Sequence, residues 1–196
     1  MLLASHNSWS YLPPKHWWIR PFAFMARCQN VDIKTQYEKY GVRCFDLRIL
    51  FDKDGEPCIA HGFCKYRYSQ AQLLADLHWL NTQKEYCYIR VLHEIRRKSQ
   101  YTVDNVYRFR HLCLELEETY KNLHFWCGRN LYNWEYDYRF SKREPTCHED
   151  YSSVSRYKYI MGWWPWVYAK LFNNKIIKGS FRIKQDLLMV DYVNVT

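Results

Sequence analysis

Two histidines of this chain stand in contexts that a packed core does not call for. His6 lies in Ala-Ser-His-Asn-Ser, directly after a short apolar start, and His61 lies in Ile-Ala-His-Gly-Phe. Between them the apolar run Cys44-Phe45-Asp46-Leu47-Arg48-Ile49 carries an acid and a base two residues apart. Two imidazoles can move a proton onto and off a phosphate ester while a guanidinium holds the ester's charge. Positions two apart on a strand share a face, so Asp46 and Arg48 point the same way. An ion pair inside a parallel sheet is costly to desolvate unless partners or a function hold it there. On the functional reading Arg48 grips a phosphate in a forked contact and Asp46 steadies the guanidinium. The bland alternative is the exposed face of an edge strand.

Asp191 sharpens the reading of His6. It is the lone carboxylate in Leu187-Leu188-Met189-Val190-Asp191-Tyr192-Val193, and a carboxylate in such a run needs a buried partner. A barrel brings its last strand beside its first, so Asp191 can reach His6. A carboxylate on one imidazole nitrogen fixes the tautomer and makes the other nitrogen the better base. Gly62 lets the backbone turn sharply after His61, which makes His61 the candidate acid; a histidine in an ordinary loop is the alternative. The pair His93-Glu94 closes another strand. One of the two should face the pocket, parity does not say which, and a solvated strand end is the competing reading.

The elements that must position these groups follow from periodicity and punctuation. Short strands are expected at Leu2-Leu3-Ala4, Val42 to Leu50, Pro57 to His61, Tyr86 to Ile95, Leu123 to Cys127 and Leu187 to Val195. Helices are expected from Asp32 to Tyr40 with Gly41 as C-terminal cap, from a Ser69 cap to about Leu80, and from a Thr102 cap to about Lys121. A further helix is expected from Trp163 to Asn173, with Pro165 in its first turn. Trp9 to Phe24 reads as a loop or short helix, and Gly128 to Arg156 as an irregular insert. Strand alternating with helix argues for an α/β fold with a parallel sheet. In such folds chemistry gathers at the carboxyl ends of strands, where His6, Asp46 and Arg48, His61, His93 and Glu94, and Asp191 all fall.

With 196 residues, 48% of them hydrophobic, the chain is expected to form a single domain over residues 1–196. The net charge of +9 suits a phosphate-bearing partner, nucleic acid or anionic membrane, without choosing between them. The basic residues are scattered and no nucleic-acid-binding motif accompanies them, so nucleic acid ranks last. No stretch is long and apolar enough to span a bilayer, and no signal peptide is evident, so the expected location is cytoplasmic, or left open if the chain starts after a processed end. The 8 cysteines read mostly as small buried hydrophobes in a reducing compartment. The spacing Cys58-x2-His61-x2-Cys64 lacks a matching second pair, so no metal site is expected. Trp17-Trp18, flanked by Lys15-His16 and Arg20, suits a membrane headgroup boundary near the mouth. Trp163 to Trp166 are expected instead to pack on the barrel wall.

Four segments in order resemble the catalytic domain of the phosphatidylinositol-specific phospholipase C family, in its bacterial form. They are Ser5-His6-Asn7-Ser8, Gly41 to Arg48, Gly55-Glu56-Pro57-Cys58-Ile59-Ala60-His61-Gly62 and Met189 to Val193, and they span nearly the whole chain. The resemblance implies a small distorted or incomplete TIM (β/α) barrel. It implies that His6 is the general base on the inositol 2-hydroxyl, with Asp191 as its partner. Arg48 stabilises the phosphate, Asp46 supports Arg48, and His61 protonates the diacylglycerol leaving group. Asn7, His93 and Glu94 become substrate-binding candidates. An arginine at position 48 implies a calcium-independent enzyme with no cofactor. Asn7 departs from the aspartate usual in bacterial members and keeps calcium as an alternative. The implied partner is a phospholipid at a membrane surface, with no obligate protein partner. The rival reading is a barrel that binds lipid headgroups without turnover.

Overall fold

The computed structural model describes residues 1–52, 54–95, 101–127, 138–180 and 184–195. Its framework is a parallel run of strands: β1 (Leu2–Ser5), β2 (Val42–Phe51), β5 (Cys87–His93), β6 (Leu123–Cys127), β7 (Cys147–Glu149) and β8 (Leu187–Val190). β1 pairs with both β2 and β8, β2 with β5, β5 with β6, and β7 with β8, each in parallel. The spatial order is therefore β7-β8-β1-β2-β5-β6. The last strand lies beside the first, as a barrel requires, while no strand among the described residues joins β6 to β7. The result is a curled half-barrel, an incomplete TIM-like sheet. An antiparallel hairpin, β3 (Pro57–His61) with β4 (Cys64–Lys65), hangs on the far half of β2.

Helices cover the outer face. They are α1 (Ile33–Tyr40), α2 (Gln70–Asn81), α3 (Val103–Thr119), α4 (Lys158–Met161) and α5 (Pro165–Gly179), with a 3-10 helix at Trp17–Met25. The expected caps form. Asp32 accepts from the Thr35 N–H, Ser69 from Gln72 and Thr102 from Asn105, each satisfying an otherwise unpaired amide of a first turn. Gly41 ends α1 at φ 68°, a left-handed conformation that glycine adopts without penalty.

Strand alternation divides the side chains between two layers. Phe45, Leu47, Ile49, Ile89, Val91, Phe125, Leu188 and Val190 face the helices, where they meet Ile33, Leu73, Leu77, Phe109, Cys113 and Leu116. Each fully buried aliphatic or aromatic side chain there contributes about 1.5–3 kcal/mol. The opposite parity lines the interior. Ala4, Cys44, Leu187, Met189, Trp126 and Tyr151 form a small apolar floor. Continuing toward the strand ends, that parity presents Asp46 and Arg48 of β2, with Arg90 of β5 in register against Asp46.

Several boundaries differ from the sequence reading. β8 ends at Val190, not Val195, because the chain turns at Tyr192, whose φ is 43°. The helix expected from Trp163 begins at Pro165 and continues to Gly179. The expected irregular insert yields β7, completed by pairing across β8, while residues 128–137 of that insert lie outside the described residues.

Candidate active site

His6 sits one residue past β1, where Asn7 turns the chain at φ 45°. Its Nδ1 lies 2.6 Å from Asp191 Oδ1. Asp191 is held below the usual carboxylate range, burial being outweighed by His6 and the Ser152 donors, so it accepts and Nδ1 carries the proton. Nε2 is left as the basic nitrogen, buried and without a protein partner among the described residues. The other Asp191 oxygen accepts from the Ser152 N–H at 3.2 Å and its hydroxyl at 3.0 Å. Gln29 donates to the carbonyls of His6 and Val190 and accepts from the Val193 N–H, stapling the ends of β1 and β8. Tyr151 stacks flat on the His6 ring at 3.7 Å. The His6 ring is thus fixed in tautomer and in orientation.

Arg48 and Asp46 meet as expected, Nε donating to Oδ2 at 2.8 Å, and both are buried. Asp46 Oδ2 also accepts the Asn7 N–H at 2.9 Å. A second guanidinium, Arg90, lies 3.8 Å from the other Asp46 oxygen and donates to Glu149 at 2.5 Å. Burial by itself would raise the Asp46 pKa, but Arg48 and Arg90 hold it far below the usual carboxylate range. Asp46 therefore remains an anion that clamps two cations in the interior.

His61 ends β3. Its Nδ1 lies 2.8 Å from the Ala26 carbonyl and 3.6 Å from Cys28 Sγ. A carbonyl only accepts, so Nδ1 holds the proton and Nε2 carries the lone pair. The His6 and His61 rings meet edge to face, centroids 5.2 Å apart. Burial first, and the Arg48 charge next, lower the His61 pKa to about 4. Glu94 spans the turn after His61 and the arginine, accepting the Gly62 N–H at 2.9 Å and lying 3.4 Å from Arg48 Nη1.

The structure therefore brings His6, His61, Arg48, Asp46, Asp191 and Glu94 together, around a cavity of about 990 Å³. Both His93 and Glu94 line that cavity, while the His93 ring stacks on Phe109 of α3 at 4.8 Å. Asn7 lies beneath the site, and its contribution is the main-chain N–H to Asp46. Arg90, Glu149, Tyr151, Ser152, Gln29 and Cys28 were not signalled by the sequence. Alternation along β5 places Arg90 opposite Asp46, but only the strand register reveals it.

The expectation for Trp163 to Trp166 needs correction. Trp163 is 58% exposed, and Trp164 and Trp166 are also exposed rather than packed on the wall. They precede or open α5, whose buried face is built from Tyr168, Ala169 and Asn173. Trp17 and Trp18 are exposed as expected, and so are Phe22, Phe24, Tyr159 and Ile160. Phe24 meets Trp164 with ring centroids 5.1 Å apart, joining the two aromatic tracts, and Met25, Tyr159 and Trp163 line the cavity itself. No helix among the described residues is long and apolar enough to cross a membrane.

The half-barrel thus gathers two imidazoles and a buried arginine at its strand ends. Neither a protein-family model nor a curated protein sequence matches the chain. Solved structures do. Phosphatidylinositol-specific phospholipase C from Listeria monocytogenes superposes with TM-score 0.62 at 15% identity, over 97% of this chain and 87% of that one. The Staphylococcus aureus phosphatidylinositol-specific phospholipase C gives TM-score 0.65 at 15% identity, over 100% and 86%. The chain has the fold of these bacterial proteins.

Proposed function

We propose that this protein is a phosphatidylinositol-specific phospholipase C-like enzyme that cleaves a phosphodiester bearing a neighbouring hydroxyl, with phosphatidylinositol as the model substrate. The observation that carries the reading is the convergence of His6, His61 and Arg48 on one cavity from three separate strands. His6 Nε2 removes the proton from the inositol 2-hydroxyl. That oxygen attacks phosphorus, the bond to the diacylglycerol oxygen breaks, and His61 supplies the proton to the leaving oxygen. The products are diacylglycerol and a cyclic inositol phosphate. Ring closure uses proximity already present in the substrate.

Asp191 holds the His6 tautomer and stabilises the imidazolium that forms. Arg48 neutralises the phosphoryl oxygens as their charge grows, from a low-dielectric site where that interaction is strong. Arg90, Glu149 and Glu94 offer donors and acceptors for the hydroxyls of a polyol ring. No step requires a metal cofactor. The free His61 is neutral near pH 7, so the incoming phosphate anion has to raise its pKa before it can act as an acid. The joined aromatic tracts around the cavity seat the mouth at a headgroup boundary, where indole rings are favoured.

Incubation with phosphatidylinositol vesicles in the presence of a chelator, with the released headgroup identified by phosphorus NMR, tests the reading. The wild type should release cyclic inositol phosphate, and His6→Ala and His61→Ala should each lose at least about 10²-fold in rate while remaining folded. Near wild-type activity in either variant would overturn the assigned roles. The depressed His61 pKa favours a second reading, headgroup binding without turnover. Vesicle binding without any released headgroup would establish it instead.

A further inference from the structure

Cys28 has no part in the proposed reaction, yet it points at both histidines. Donor atoms of His6, Cys28 and His61 all lie within 4.8 Å of one another. Among the described residues this is the group of His, Cys, Asp and Glu donors spaced to hold a cation. We propose that Cys28, His6 and His61 form a three-ligand zinc site whose occupation competes with phosphodiester binding.

The site is built rather than incidental. The Cys28 backbone is pinned on both sides: its N–H donates to Ser10 Oγ at 2.9 Å, and its carbonyl accepts the Tyr192 N–H at 2.6 Å. The thiol is fully buried. His6 Nε2 is a buried nitrogen with no protein partner among the described residues. Each imidazole already has its other nitrogen engaged, His6 on a carboxylate and His61 on a backbone carbonyl. Those are the outer partners that orient metal-bound histidines.

Spacing and charge agree. With zinc-sulfur bonds of about 2.3 Å and zinc-nitrogen bonds of about 2.0 Å, tetrahedral donor pairs stand roughly 3.3–3.6 Å apart. The three donor atoms lie within 4.8 Å of one another, so a side-chain shift of about 1 Å closes the widest pair. Four carboxylates stand around the cluster against two guanidiniums: Asp46, Glu94 and Glu149 pair with Arg48 and Arg90, and Asp191 pairs with His6. That surplus of acidic groups favours a cation. Three protein ligands leave a fourth zinc position open to water. Binding is an exchange without redox change. The Cys28 thiol gives its proton to solvent, zinc accepts one electron pair from sulfur and one from each imidazole, and the two histidines lose the nitrogens that move protons.

Coordination rests on geometry alone, and only the inhibitory consequence rests on the phospholipase reading. Titrating chelator-stripped protein with Co²⁺, as a zinc surrogate, should give one thiolate-to-cobalt charge-transfer band per chain, bleached by added Zn²⁺. Cys28→Ser, or Cys28→Ala if the serine variant fails to fold by circular dichroism, should abolish the band. The double variant Cys58→Ser/Cys64→Ser should keep it. A band that survives loss of Cys28, or disappears with Cys58 and Cys64, overturns the site. With phosphatidylinositol vesicles, Zn²⁺ at tenfold excess over its Kd should slow the wild type at least tenfold and spare Cys28→Ser. A cobalt band without inhibition overturns the competitive role and leaves coordination standing.

Discussion

The two walls of the cavity are built differently. The His6 wall belongs to the sheet itself: β1 and β8 pair through four registered residues, and Gln29, Asn173 and Ser152 tie the turns beyond them. The His61 wall is a hairpin outside the parallel run, held to β2 through Ile49, Leu50 and Phe51, to Glu94 through the Gly62 N–H, and to loop residues through His61 and Tyr66 on the Ala26 carbonyl and the Pro14–Tyr66 bridge. The difference separates two demands. On the proposed reaction the base is fixed in tautomer and aim by the sheet, whereas the acid depends on a hairpin and the loop packed against it. The strand carrying Asp46 and Arg48 links the walls, since β2 pairs with β1 along one half and with β3 along the other.

That contrast can be broken from either side. The largest effect should come from Asp191→Asn. It leaves the volume intact but removes the anion that fixes the His6 tautomer, and activity should fall roughly 10²–10⁴-fold. The loss should sit in kcat rather than KM, with a changed pH profile, because Asp191 acts through His6. A change confined to KM would show that the carboxylate does not support the base.

On the opposite wall, Gly62→Ala should cost less. Gly62 sits at φ 54° with open space around the missing Cβ, so the penalty is backbone strain of roughly 1–2 kcal/mol, not a clash. Urea unfolding should show that loss together with a modest reduction in rate. A variant as stable and as active as wild type would show that the turn after His61 is not constrained.

The smallest effect is on stability against pH. The His61 pKa is about 4 in the folded chain and ordinarily 6.5, so between those values the unfolded chain binds a proton that the folded chain refuses. Stability should therefore decline as pH falls from about 6.5 toward 4, and His61→Asn should flatten that stretch of the curve. The lowered carboxylates Asp46 and Asp191 act below it, their contributions being lost as pH falls beneath the ordinary 3.8. Denaturant midpoints measured with a chelator present would show the difference, and identical slopes in both proteins would contradict the assignment.

Much of this was legible before any coordinates. Asp32, Ser69 and Thr102 cap the helices that their positions announced, and Asp46 with Arg48 shares a face because strands have a period of two. Arg90 was hidden because one arginine in an apolar strand looks like any other until its neighbour in register is known. The tryptophans at 163 and 164 were misread for a related reason: a tryptophan run suits a core wall as well as a rim, and composition does not say which side the turn into α5 faces.

What the sequence determined by itself was local: which stretches form strands and helices, where they start and stop, and which residues bring acid, base and cation. Those follow from periodicity, capping and side-chain chemistry, which act over a few neighbouring positions. Only the tertiary structure decided that His6 and Asp191, 185 positions apart, lie within 2.6 Å, that Cys28 reaches both imidazoles, and that the aromatic tracts join at the mouth. Those distances are set by strand register and by how far the sheet curls, and both depend on the whole chain burying its apolar face at once.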